Sequence, residues 1–201
     1  MNEKTEELLA ALRQLHTELR DDTRERFKRI NPFCEDLFEW RERGGYWTGD
    51  DRGVTIYNST TVVGDVEIGE QTWIGPYCSL DGTAGLSIGK HCSISLGCQL
   101  LTHDTVKQSL SGGKAAAEYA PTKIGDCCFL GSYVVVLKGV TIGDHCVVGA
   151  SSVVTRDVPS HAIVVGAPAR RIGTVHIEDD GEVSLVYREA AGGEEQGPRD
   201  G

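Results

Sequence analysis

The sequence predicts an all-β fold, a parallel solenoid of short strands stacked three to a coil, preceded by a helical segment and closed by a hairpin. Three observations carry this. Aliphatic residues recur every six positions, glycine often follows them at once (Gly69, Gly75, Gly89, Gly125, Gly131, Gly143, Gly149), and glycine is abundant, at 25 of 201 residues, where about 7% is usual. A helix would space its apolar residues three and four apart, and a half-buried strand two apart. Neither produces six. Three six-residue sides, each a short strand and a corner, close one triangular coil of a parallel β-helix.

The elements follow in order. Residues 3–30 read as a helix, with Leu8, Leu9, Leu12, Leu15, Leu19 and Phe27 near a 3.6 period. A second short helix is expected around Glu35–Arg43, before Gly44-Gly45. Residues 1–50 are thus a helical cap over the solenoid's open end, which would otherwise expose strand edges and core. The hexads run over Ile56, Val62, Ile68, Ile74 and Leu80, slip by two residues, and resume at Ile88, Ile94 and Leu100. After a gap they return at Ile124, Leu130, Val136, Ile142, Val148 and Val154. The fourth residue after each aliphatic is small or β-branched, as a tight interior needs. Five of the seven cysteines (Cys78, Cys92, Cys98, Cys128, Cys146) fall there and read as small buried hydrophobes. Between Leu100 and Ile124, 24 residues or four hexads, the pattern vanishes. Residues 103–123 therefore read as a loop pushed out without breaking the phase, and long structureless loops in compact domains are usually functional. The β-helix spans 54–173, in about four to five coils. Residues 174–189 alternate around Asp179-Asp180-Gly181 and read as a β-hairpin. Residues 190–201, rich in glycine and charge, read as a disordered tail.

Charge and composition exclude several classes. Twenty basic against thirty acidic residues give −10, which disfavours nucleic acid, whose phosphates reward a clustered positive surface. No apolar run is long enough to span a membrane. Met1–Glu7 offers no apolar h-region, so a signal peptide is not expected. An odd number of cysteines without a CxxC suits reduced thiols, and the expected location is cytoplasmic.

The hexads, the loop opening at Leu101-Thr102-His103-Asp104 and the closing Val165-Gly166-Ala167-Pro168-Ala169-Arg170 together resemble the hexapeptide-repeat acyltransferases. The run Ile124–Arg171 looks most like the maltose/galactoside O-acetyltransferase and sugar acetyltransferase branch. The resemblance covers about residues 54–173. It implies a left-handed coil, a homotrimer with sites between neighbouring subunits, and direct transfer of acetyl from acetyl-CoA, with no metal, to a hydroxyl or amine of a sugar or sugar nucleotide. Such a reaction needs a base for the acceptor's proton, and histidine titrates near neutrality. His91 and His145 sit in ordinary turns between regular hexads, whereas His103 stands where the repeat stops and matches the family's catalytic histidine. Glu118, a loop glutamate, is the family analogue for orienting its other ring nitrogen. Ser132 falls where a backbone N–H meets the thioester carbonyl, and Ala150 where the pantetheine arm runs along a coil edge. Thr155, Arg156 and Arg170 fall where the family holds the CoA phosphates. The acceptor side departs: the branch's Asn and Asp positions fall on Gly75 and Thr83, so the activity carries over from the resemblance and the substrate does not.

Two other classes compete. A zinc enzyme of the γ-carbonic anhydrase type needs three converging histidines, but no H-x4-H pair exists here. A non-catalytic β-helical scaffold or binding module would need neither His103, the loop nor the Arg-containing terminal motif. A nucleotidyltransferase with a β-helical tail is excluded by the lack of a preceding Gly-rich αβα domain.

Overall fold

The computed structural model describes residues 2–188, so the tail expected over 190–201 lies outside the described residues. Each inward aliphatic pairs in parallel with its counterpart one coil away. Ile56, Ile74, Ile94, Leu130, Val148 and Val164 stack on the first face. Val62, Leu80, Leu100, Val136 and Val154 stack on the second. Ile68, Ile88, Ile124, Ile142 and Val158 stack on the third. The six-residue period thus builds five coils. All these side chains are buried except Val62, which is partly so.

The fourth position of the hexad does more than fit. Thr60 Oγ1 donates to Gly75 O at 2.6 Å and accepts from Cys78 N at 3.0 Å, and Thr72 does the same between Gly89 and Cys92. The five cysteines of this phase are buried, each thiol 3.0–3.2 Å from a carbonyl oxygen of the next coil. A hydroxyl or thiol there links successive coils through the interior, where an unpaired carbonyl would be costly.

Three edges separate the faces. On the edge from first to second face, Tyr77, Gly97, Tyr133 and Ser151 take left-handed φ. On the edge from third to first, Gln71, His91, Cys127, His145 and His161 do so. The two-residue slip falls on the remaining edge, from second to third. There Gly64 pairs with Gly82 and Val66 with Leu86, so Thr83, Ala84 and Gly85 oppose Asp65 alone, a bulge in the second coil.

The inserted segment leaves the same edge one coil later. Pairs that straddle it, such as Ile88 with Ile124, lie 36 residues apart, against 18 for Ile124 with Ile142. The insertion is one full coil long and the phase holds. It is not structureless, however. Short strands His103–Asp104 and Glu118–Tyr119 pair antiparallel around a helix over Val106–Leu110.

At the amino end α1 (Glu3–Phe27) is capped by Asn2, whose side chain accepts from Thr5 N. It buries none of its residues, so α2 (Phe33–Asp36) and α3 (Trp40–Thr48) make the cap. Glu35 accepts from Asn58 N and Ser59 N, Arg43 donates to Tyr57 O and Thr60 O, and Trp47 Nε1 donates to Val66 O. Helix α3 runs through Gly44-Gly45 rather than stopping before them. A Cβ on Gly44 would lie 1.9 Å from Val54 O, so glycine lets the helix press on the first coil. At the carboxyl end, strands Arg170–Ile177 and Val183–Tyr187 form the hairpin, which begins earlier than expected because Arg170–Thr174 pairs back onto Ala162–Val165.

Candidate active site

His103 follows Leu100 on the second-to-third edge, at the root of the inserted segment. Its Nδ1 lies 2.7 Å from Oδ2 of Asp81, which stands one coil below, just before the bulge. The expected partner, Glu118, does not orient this ring. Its carboxylate is held by Lys107 Nζ at 2.6 Å and faces Lys138 Nζ at 3.7 Å. Leu80 pairs with Leu100, so Asp81 stands one coil below the start of the inserted segment and accepts from Thr102 N, while the pairing of Asp104 with Glu118 accompanies the contact of Glu118 with the lysines.

Asp81 is buried, which by itself pushes its carboxyl up. Bonds from the Thr83 hydroxyl, Thr102 N, Thr83 N and His103 outweigh this and hold it well below the usual carboxylate range. An ionised Asp81 can only accept, so Nδ1 of His103 carries the proton and Nε2 is the free basic nitrogen. The Tyr119 ring stacks on His103, centroids 5.8 Å apart. Lys138, from the fourth coil, reaches Asp104 at 2.8 Å. It thus braces the Asp104–Glu118 rung beside the His103–Tyr119 rung. Contact with Lys138 holds the Asp104 carboxyl low, and contact with Lys107 holds Glu118 low.

Ser132 and Ala150 lie elsewhere, on successive coils of the first-to-second edge, joined by Ser151 N donating to Ser132 O at 2.8 Å. Each precedes a left-handed residue. At the matching position of the third-to-first edge, the N–H groups of Lys90, Asp126 and Asp144 are capped by Asp126 Oδ1, Asp144 Oδ1 and Ser160 Oγ. The N–H groups of Ser132 and Ala150 have no acceptor among the described residues. They form an open row of donors along one edge. Arg170 begins the returning strand paired with Val165 at the top of that edge. Thr155 and Arg156 follow Val154 instead, on the edge of His103 and two coils above it. Arg156 and Arg170 meet no carboxylate among the described residues. One chain therefore brings Ser132, Ala150 and Arg170 to one edge, and His103, Thr155 and Arg156 to another. A groove of about 710 Å³ lies between α3 and the third face, beside Trp47, Arg52 and Lys123, and contains none of these residues.

Asp81, Lys107 and Lys138 escape the sequence reading. The two-residue slip between Leu80 and Ile88 is the signal that points to Asp81, because it marks where the coil departs from its regular path.

The sequence pattern of the family described as "Bacterial transferase hexapeptide (six repeats)" matches residues 121–156. These residues carry the bacterial-transferase hexapeptide repeat, and the chain is similar over most of its length to known acetyltransferases. It is 27% identical over 177 residues to the galactoside O-acetyltransferase of Escherichia coli K12, covering 76% of this chain and 87% of that protein. A hexapeptide-repeat acetyltransferase of Vibrio cholerae, solved with acetyl coenzyme A, is 26% identical, with a TM-score of 0.51 over 86% of this chain and 90% of that one. The N-acyltransferase AntD of Bacillus cereus, solved with dTDP and 3-hydroxybutyryl-CoA, shares the fold at 22% identity and TM-score 0.55, over 60% of this chain and 69% of that one. The fold is the left-handed parallel β-helix. No helix among its described residues is long and apolar enough to cross a membrane.

Proposed function

We propose that this acyltransferase moves an acetyl group from acetyl-CoA to a hydroxyl or amine of a sugar or sugar nucleotide, as a cytoplasmic homotrimer with sites between subunits. The observation that carries the reading is the division of parts between two edges. An oriented base stands on one edge and an uncapped row of backbone donors on another, so each chain holds both halves of a site without closing one. Pairing the His103 edge of one subunit with the Ser132 edge of the next completes it. Arg156 and Arg170 then approach from two subunits at the same end, which suits the phosphates of CoA on a chain of net charge −10.

Acetyl-CoA supplies the activated acetyl group. Nε2 of His103 takes the acceptor's proton while Nδ1–H stays on Asp81, whose charge stabilises the imidazolium. The Ser132 N–H faces the oxygen on which negative charge develops, and being uncapped it needs no reorganisation to do so. The Ala150 N–H pairs with the amide chain of the pantetheine arm. The interior cysteines, buried and bonded to carbonyls, take no part. His103→Ala is expected to lower kcat by about 10²–10⁴-fold, the usual share of a general base, with acetyl-CoA affinity kept. An acceptor screen reading thiol release, run on wild type and variant together, measures this. Wild-type turnover by the variant rejects His103 as base, and no shift in melting with acetyl-CoA favours the non-catalytic scaffold.

A further inference from the structure

Helix α1 is 25 residues long and buries none of them, yet its apolar side chains are not scattered. Leu8, Leu12, Leu15 and Leu19 fall four, three and four apart, the spacing of a coiled-coil seam. Leu8, Leu12 and Leu15 are 61%, 43% and 42% exposed. The opposite face holds Glu6, Glu7, Arg13, Gln14 and Thr17. The later half of the helix meets the cap: His16 packs on Phe33 with ring centroids 4.8 Å apart, and Thr23 Oγ1 donates to Asp36 Oδ1. The leucines before it stand in solvent.

Two properties of this row name its occupant. Its spacing reads the same in both directions, so the row complements a second copy of itself turned end for end. Leu8 then meets Leu19 and Leu12 meets Leu15, as an isologous contact requires. Charge selects the same direction. The first turn carries Glu3 and Glu6, and the last carries Arg24 and Arg26. An antiparallel pair sets each acidic start beside the other's basic end and opposes the two helix dipoles, whereas a parallel pair stacks like on like. Lys4 and Glu25 flank the seam on one side, in equivalent heptad positions, and face each other across the antiparallel pair. An anionic membrane is a poorer match, because α1 holds seven acidic against five basic residues and such surfaces attract basic helices.

We propose that α1 is a twofold docking surface for the α1 of a second copy of this chain, antiparallel, with the four leucines of each helix as its seam. From Lys4 to Glu25 the contact is about 33 Å long. It buries on the order of 1,000 Å², the lower limit of a stable interface, so the association is reversible and depends on concentration. The pairing uses none of the candidate active-site residues and doubles whatever assembly the solenoid itself forms.

Sedimentation of the full chain over a range of concentrations tests this, comparing wild type with Leu12→Gln/Leu15→Gln, which keeps good helix formers in place. The wild type should form a species of twice the variant's mass, and the variant should stay at the lower mass to at least about tenfold higher concentration. Charge reversal gives a second test that leaves the leucines alone. Lys4→Glu should weaken the doubling severalfold, and Lys4→Glu/Glu25→Lys should restore it. Equal masses for wild type and the glutamine variant overturn the proposal. So does a threefold difference, which would make α1 a trimer contact. Failure of the double charge exchange to restore what the single one loses overturns the antiparallel register. Flotation of the wild type, but not the glutamine variant, with phosphatidylserine-containing vesicles would give the leucines to a membrane. Turnover per chain should be the same in wild type and the glutamine variant, so this proposal and the active-site reading fail separately.

Discussion

Asp81 works by accepting four hydrogen bonds at once, and its role can be separated from that of the base it serves. Asp81→Asn retains the shape but lets the amide contend for the Nδ1 position, so the wrong tautomer of His103 gains population. A fall in kcat of about 10²-fold is expected, with acetyl-CoA affinity intact. Linkage gives a second readout. The folded carboxyl titrates below its unfolded value, so its stabilisation is fully present above about pH 5 and fades as pH falls through the lowered folded value. The stability difference between wild type and Asp81→Asn should therefore be flat at neutral pH and shrink under acid, as denaturant titrations at several pH values would show. A difference that grew on acidification would contradict this. The base and its partner differ in how far sequence exposes them. His103 is legible because the hexads stop beside it. Asp81 lies 22 positions earlier and meets His103 only because Leu80 stacks under Leu100, and periodicity gives the stacking without saying which corner side chains meet. The open donors of Ser132 and Ala150 leave a fainter trace. The matching positions on another edge hold Lys90, Asp126 and Asp144, with a carboxylate or hydroxyl from the next coil available to cap them.

Among the elements, the inward aliphatics of the coils are legible because six-fold spacing has one physical source. The inserted segment is legible from where the hexads stop and resume, but not within. Its internal order depends on an antiparallel pair of two residues a side and on Lys138, 34 positions from Asp104, which no local pattern encodes. Lys138→Met should loosen the Asp104–Glu118 rung, lower kcat about three- to tenfold and admit proteolytic cleavage near Gly112-Gly113, while Lys138→Arg retains both order and rate. Because the pairs are partly exposed, added salt should slow the wild type and leave the methionine variant nearly unaffected. Equal protease sensitivity of wild type and Lys138→Met would remove the brace from the account.

For the molecule as a whole, the division of parts between edges predicts complementation. His103→Ala and Ser132→Pro should each be nearly inactive, the second because proline deletes the donor N–H. Unfolded together in equal amounts and refolded, the two should regain about a quarter of wild-type activity, since that share of randomly assembled sites draws an intact edge from each parent. Absence of recovery would place both halves of the site in one chain. The inserted segment has a further consequence. Its two stems meet where Ala120 N donates to Thr102 O and Thr122 Oγ1 to Leu101 O, so the coils above and below are joined whatever lies between. The cost of closing such an excursion rises only slowly with its length. Residues 103–121 are in that sense a detachable cassette on a chassis that keeps its own time. Exchanging the cassette between chains of this architecture should alter what is acylated while the core folds as before.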